Sequence, residues 1–293
     1  MHIKNELGFK DEQLHLLLTY CKMIRKYPSI SLNQFHKIYS EYSRRKTTTK
    51  LIKDGYQKKV ILGPFLFANI GIEVRLFENI NNPIKYLEEC RQNKKTTLAY
   101  ALEGGWSFIH FQYGASMIKF ADSIIPHNYS VSNKYIENLT FEKKGKLSLD
   151  PYPHGWSEEH WKIFHLMREP QKVTFKEIVK ETGMAWETFR KYYKEILNQC
   201  KPLSCFFPLG KEGYTYQLVT FRTAYEIGIY NALKCLNRTS WIYKADELII
   251  LVLCLFPRPK GINILTHYFK GLEEKGYIHD LRVCIPRKWI HNF

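Results

Sequence analysis

The second half of this chain restates the first after about 145 residues, and an internal repeat of that length dictates a doubled architecture. Leu16–Tyr39 and Trp161–Thr182 each read as helix, short break, helix. Leu32 and Phe35 correspond to Phe175 and Ile178 at the same spacing. A third helix follows in each half, at 43–53 and 186–199, with Leu51 and Ile52 matching Ile196 and Leu197. Thr174 and Glu177 have capping-box spacing, so a helix starts there, and Gly183 ends it because glycine enters the left-handed conformation freely. Helix, tight glycine turn, helix is the helix-turn-helix pattern, and the preceding helix completes a trihelical unit.

After each third helix an extended run follows, VILGPFLF from Val60 and LSCFFPL from Leu203, suited to a wing. Alternating β-rich stretches and helical stretches then give the order βαββαβ in both halves. In the first half the strands are expected at 70–77, 96–102, 106–113 and 134–140, with helices at 83–92 and 115–124. The expected fold class is α+β: two winged-helix-like trihelical units, each followed by a ferredoxin-like βαββαβ domain. The expected segments are helix-turn-helix 1–60, ferredoxin-like 61–140, surface linker 141–156, helix-turn-helix 157–204 and ferredoxin-like 205–293. The uncovered sheet faces, carrying Ile72, Val74, Phe108, Tyr216, Leu218 and Leu251, are expected to face each other.

Charge points to a partner. There are 44 Lys and Arg against 28 Asp and Glu, a net +16, which suits a polyanion such as nucleic acid. Residues 1–60 hold 13 basic and 5 acidic residues, half the whole excess. The third helix of the first unit offers Arg44, Arg45, Lys46, Thr48 and Lys50 to phosphates and base edges. Its counterpart offers Trp186, Thr188, Arg190, Lys191 and Lys194. The longest apolar run, nine residues at Leu248–Phe256, is too short to span a bilayer, and the amino-terminal stretch lacks a secretory pattern. The expected location is cytoplasmic, without a membrane partner. Seven cysteines without a C-x-x-C pair read as buried free thiols.

A trihelical unit followed by βαββαβ resembles the leucine-responsive (Lrp/AsnC, feast/famine) regulators, here twice in one chain. The best local match is AYALEGGWSFIHF at 99–111. The resemblance implies a sequence-specific regulator of transcription that binds double-stranded DNA as an internal pseudo-dimer, with no enzymatic activity, cofactor or metal; it is compatible with further self-association. It also implies an effector site at Gly104, Gly105 and Trp106, a turn whose residues themselves read first as a plain Gly-Gly hairpin. Hydrolase and nucleotide motifs are absent. His154, His160 and His165 diverge around a helix, against a metal site. The same doubled plan also resembles siroheme decarboxylases, which act on a tetrapyrrole without DNA binding. For that alternative the basic and imidazole groups in a sheet cleft would be His110, His267 and Arg75. The third alternative is a protein-interaction scaffold.

Overall fold

The computed structural model describes residues 7–39, 45–114, 118–130, 135–141, 143–257 and 261–291. The first trihelical unit is α1 (Asp11–Lys26), α2 (Leu32–Ile38) and α3 (Arg45–Gln57). In α1, Leu14, Leu17, Cys21 and Ile24 recur every three or four residues and are buried against Phe35 of α2, Ile52 of α3 and the strand that follows. The second unit is α5 (Glu158–Leu166), α6 (Phe175–Thr182) and α7 (Trp186–Gln199), cored by Ile163, Phe164, Ile178, Phe189 and Ile196.

The expected capping box opens α6. The Thr174 amide donates to the Glu177 carboxylate at 2.7 Å, and the Glu177 amide donates to the Thr174 hydroxyl at 3.3 Å. Gly183 closes the helix at φ +69°. Thr174→Ala should lower stability by about 1 kcal/mol, measured by denaturant unfolding; an unchanged midpoint would mean that packing alone holds α6.

Each unit leads into one strand of a two-stranded antiparallel ribbon: β1 (Ile61–Phe67) pairs with β6 (Lys201–Phe206). The two expected wings are thus one ribbon, with a strand from each half. The remaining strands are β2 (Ile72–Phe77), β3 (Thr96–Gly104), β4 (Phe108–Tyr113), β5 (Ile118–Ile124), β7 (Thr215–Arg222), β8 (Ser240–Ala245), β9 (Leu248–Leu255) and β10 (His279–His291). They form one sheet in the order β2-β4-β3-β10-β7-β9-β8-β5. Its edges meet: β5 lies beside β2, and the Asn69 side chain donates to the Ile118 carbonyl at 2.9 Å. The sheet therefore curls into a ring.

Within the ring, the last strand of each half crosses to the other half. β10 pairs through 279–284 with β7 and through 284–291 with β3, while β5 pairs with β8. Helix α4 (Pro83–Gln92) covers the outer face of β3 and β4; α8 (Glu226–Leu233) and α9 (Gly261–Glu274) cover the outside of the second half. The architecture is α+β and ferredoxin-like, with helices packed outside an antiparallel sheet, as the sequence implies.

Three elements differ from expectation. Residues 118–124, expected as helix, are strand β5, because a short apolar run fits either period and the ladder offered by β8 decides. The strand expected at 134–140 is a single 3-10 turn at Ile136–Asn138. The expected linker is a packed strap: Phe141 and Leu147 are buried, the Leu147 amide donates to Glu226 at 2.7 Å, and Lys244 pairs with Glu226 at 2.8 Å in the interior. Sheet does face sheet through Ile72, Val74, Tyr216 and Leu218, but Phe108 and Leu251 point outward beneath the helices.

Candidate functional site

The inner face of the ring is not filled throughout. At its lower end Leu102, Leu218, Ile250 and Cys284 pack together, and above them a cavity of 720 Å³ opens. Its side walls are aromatic: Tyr100 on β3, Phe111 on β4, Tyr216 on β7, Trp241 and Tyr243 on β8 and Trp289 on β10. Strand alternation produces this, because Trp241 with Tyr243, and Trp289 with His291, are two apart and share a face. The roof is the ribbon, through Leu62, Phe65 and Leu203, together with the carboxyl end of α5 and the turn after it, through His165, Arg168 and Lys172.

The two trihelical units meet the ribbon differently, and that difference makes the cavity. Helix α1 lies flush: the Ser204 hydroxyl donates to the Cys21 carbonyl at 3.0 Å, the Cys21 thiol reaches the Cys205 carbonyl at 3.4 Å, and Arg25 pairs with buried Asp122. At the equivalent end of α5 the link is backbone, the Leu66 amide donating to the Arg168 carbonyl at 2.8 Å. The side chains of His165 on α5 and Arg168 just after it line the cavity.

Charge around the cavity is graded. Arg168, Lys172 and Lys211 border it with Glu169, which Lys172 contacts at 2.7 Å. Two imidazoles line it. Burial, then Arg168, holds His165 below the ordinary histidine range. Burial, then Lys211, lowers His291 to about 4; protein surrounds this ring on most sides while the open cavity keeps it accessible to solvent. Both imidazoles are therefore neutral at neutral pH. Burial raises the Tyr100, Tyr216 and Tyr243 phenols well above their ordinary value, so they stay protonated donors. The arrangement suits a large, flat, apolar ligand edged with anionic groups.

None of the sequence-derived site residues lies in this cavity. Arg44 is outside the described residues, and Arg45 opens α3 with a side chain outside the described set. Lys46 and Lys50 are exposed, whereas Thr48, expected at a base edge, is buried within its unit. Trp186, Thr188, Arg190, Lys191 and Lys194 are exposed along α7, with Trp186 6.0 Å from the Phe175 ring and Arg190 4.0 Å from Glu187.

The expected effector turn is occupied by its own fold. A β-carbon on Gly104 would meet the Val283 carbonyl at 2.4 Å, the Trp106 indole donates to Thr220 at 2.8 Å, and Arg282 lies 4.1 Å above the Trp106 ring. Arg282 covers one face of the Trp106 ring, and Gly104, Gly105 and Trp106 pack against β10. The cleft residues expected for a tetrapyrrole are also misplaced. His110 is buried, bonded to Thr96 at 2.8 Å beside Tyr86 of α4; Arg75 pairs with Glu73 on the surface; His267 is exposed on α9. Among the described residues, no group of three His, Cys, Asp or Glu could hold a metal, and no helix is long and apolar enough to cross a membrane. The seven cysteines are free, five of them buried.

No family model matches the chain, and no curated protein matches it. Among solved structures, the crystal structure of the siroheme decarboxylase NirDL is similar over 94% of this chain and 91% of that one, at 10% identity and a TM-score of 0.50. The crystal structure of the siroheme decarboxylase NirDL in co-complex with an iron-uroporphyrin III analogue covers 94% and 92%, at 9% identity and a TM-score of 0.47. The shared property is the fold. It corrects two expectations: the doubled trihelical plan does not carry a DNA-binding regulator with it, and it does not exclude an enzyme, because an enzyme has this fold from end to end.

Proposed function

We propose that this chain is a tetrapyrrole-binding enzyme of the siroheme decarboxylase type, built from a duplicated Lrp/AsnC-like unit and working in the cytoplasm. The observation that carries the reading is the cavity: 720 Å³, aromatic on its sides and cationic at its roof. That volume lies within the range of about 300–1,000 Å³ typical of ligand pockets. Siroheme is a flat macrocycle bearing several carboxylate arms. Trp241 and Trp289 offer flat faces to its ring, and Arg168, Lys172 and Lys211 offer charge-assisted bonds to its edge.

Decarboxylation breaks the bond between a carboxylate carbon and its neighbour. Carbon dioxide leaves, the electron pair stays on that neighbour, and one proton replaces the lost group. Two neutral imidazoles that reach both protein and solvent, His165 and His291, are suited to relay that proton.

The test uses the full chain and siroheme under anaerobic conditions. Binding is read from the visible absorbance of the macrocycle, and turnover from released carbon dioxide and product mass. A saturable spectral change near one equivalent, with loss of carbon dioxide, is expected. No spectral change at ligand concentrations of about 100 μM, which means binding weaker than about −5.5 kcal/mol, would end the tetrapyrrole reading.

A further inference from the structure

The cavity has two chemically different ends. Its cations, Arg168, Lys172 and Lys211, belong to the α5–α6 turn and to the loop before β7. Deeper, on the ring's inner face, stand Tyr100 and Tyr243. Tyr100 is only 5% exposed. After burial, the groups that bear most on its hydroxyl are the Tyr243 and Tyr216 phenols and the Cys254 thiol, none of them a cation. Tyr216 already donates to the Lys211 carbonyl at 2.7 Å. Among the described residues, the Tyr100 and Tyr243 hydroxyls have no protein partner, and neither is sealed away from the cavity. Two phenol donors that face the cavity without a protein acceptor are placed to donate to an acceptor on a ligand.

We propose that the Tyr100 and Tyr243 hydroxyls receive one carboxylate arm of the macrocycle at the cation-free floor, and that this arm is the one lost, while the arms held by cations at the roof are retained. The proposal rests on the tetrapyrrole reading above. Its physical basis is the charge of the reacting group. A carboxylate is fully anionic before reaction, and in the transition state that charge spreads onto the neighbouring carbon and the conjugated ring. A lysine or arginine on the carboxylate stabilises the starting state more than the transition state, and slows the step. Neutral phenols fix the arm's direction without pinning its charge, in a site from which water is largely excluded. The bond broken is the one to the carboxylate carbon; carbon dioxide departs, the pair remains on the arm's methylene, and one proton converts it to a methyl group. No oxidant is consumed.

Two variants of the full chain test this with siroheme. Tyr100→Phe with Tyr243→Phe removes both donors and keeps both rings; affinity, read by absorbance titration, should fall about tenfold, and unchanged affinity would overturn the floor site. Tyr243→Lys places a cation at the floor; it should bind siroheme as tightly as the parent or tighter, and turn over at least about tenfold more slowly. Because retained binding shows that this variant is folded, binding with undiminished turnover would overturn the assignment of the reacting arm. A parent protein that does not bind siroheme removes the tetrapyrrole reading itself. A parent that binds and reacts, with both variants unchanged, removes only the floor.

Discussion

Lys244→Met should destabilise the protein by about 3–5 kcal/mol, the largest single loss expected anywhere in the chain. Lys244 and Glu226 form an interior pair, 5% and 0% exposed, at 2.8 Å. Glu226 also accepts the Leu147 amide at 2.7 Å, which pins the strap to α8. Removing the ammonium leaves a carboxylate in the core with one amide for company. Denaturant unfolding of the parent and the variant measures the difference, and a second substitution, Glu226→Gln, should recover part of it because a neutral amide tolerates burial better than a lone charge. A loss below about 1 kcal/mol, as for an exposed pair, would show that water reaches this site.

The second large effect concerns ligand binding. Arg168→Ala should weaken siroheme binding by about 10- to 100-fold, the range of one or two charge-assisted hydrogen bonds lost from a partly dry rim. The backbone link from Leu66 to the Arg168 carbonyl survives the change, so the roof stays in place. The same variant carries a pH signature. Arg168 is one of two causes that lower the His165 pKa, the larger being burial. Its removal should move that pKa upward, though still below the unperturbed value, so any limb of the pH–rate profile governed by His165 should shift to higher pH. Unaltered affinity together with an unmoved profile would place the ligand's charged edge away from α5.

The regular parts of this fold were legible because each follows from local chemistry. The Thr174–Glu177 box and Gly183 bound α6 as their side chains dictate. Residues 118–124 were misread because IKFADSI is compatible with either period, and a partner more than a hundred residues away settles the matter. Phe108 and Leu251 were placed on the wrong face because the phase of a strand depends on which side receives a helix.

The site was nearly illegible for a related reason. Its lining comes from all ten strands, the end of α5 and two turns, and no short motif spans them. The basic run at the start of α3 drew attention because charge is conspicuous in a sequence, whereas Arg168 and Lys172 flank a short turn and look like ordinary surface groups. The usable signal was the pairing of aromatics two apart, Trp241 with Tyr243, and Trp289 with His291, on strands whose opposite faces already carry enough aliphatic residues for the outer core.

The crossing of β10 has a consequence for the life of the chain before it is finished. Strand β3 holds Tyr100, and its neighbour in the ring is β10, which follows the other nine strands along the chain. Until that strand arrives, one edge of the first half is bare, and pairing across such a separation is slow compared with local contacts. The same strand delivers Trp289 and His291 to the cavity. Seating of β10 closes the barrel and completes the cavity together, so a partly opened chain lacks the walls that Trp289 and His291 supply. A ligand in that cavity would then bind the closed population alone and hold β10 in its seam, making occupancy a report on whether the seam is shut.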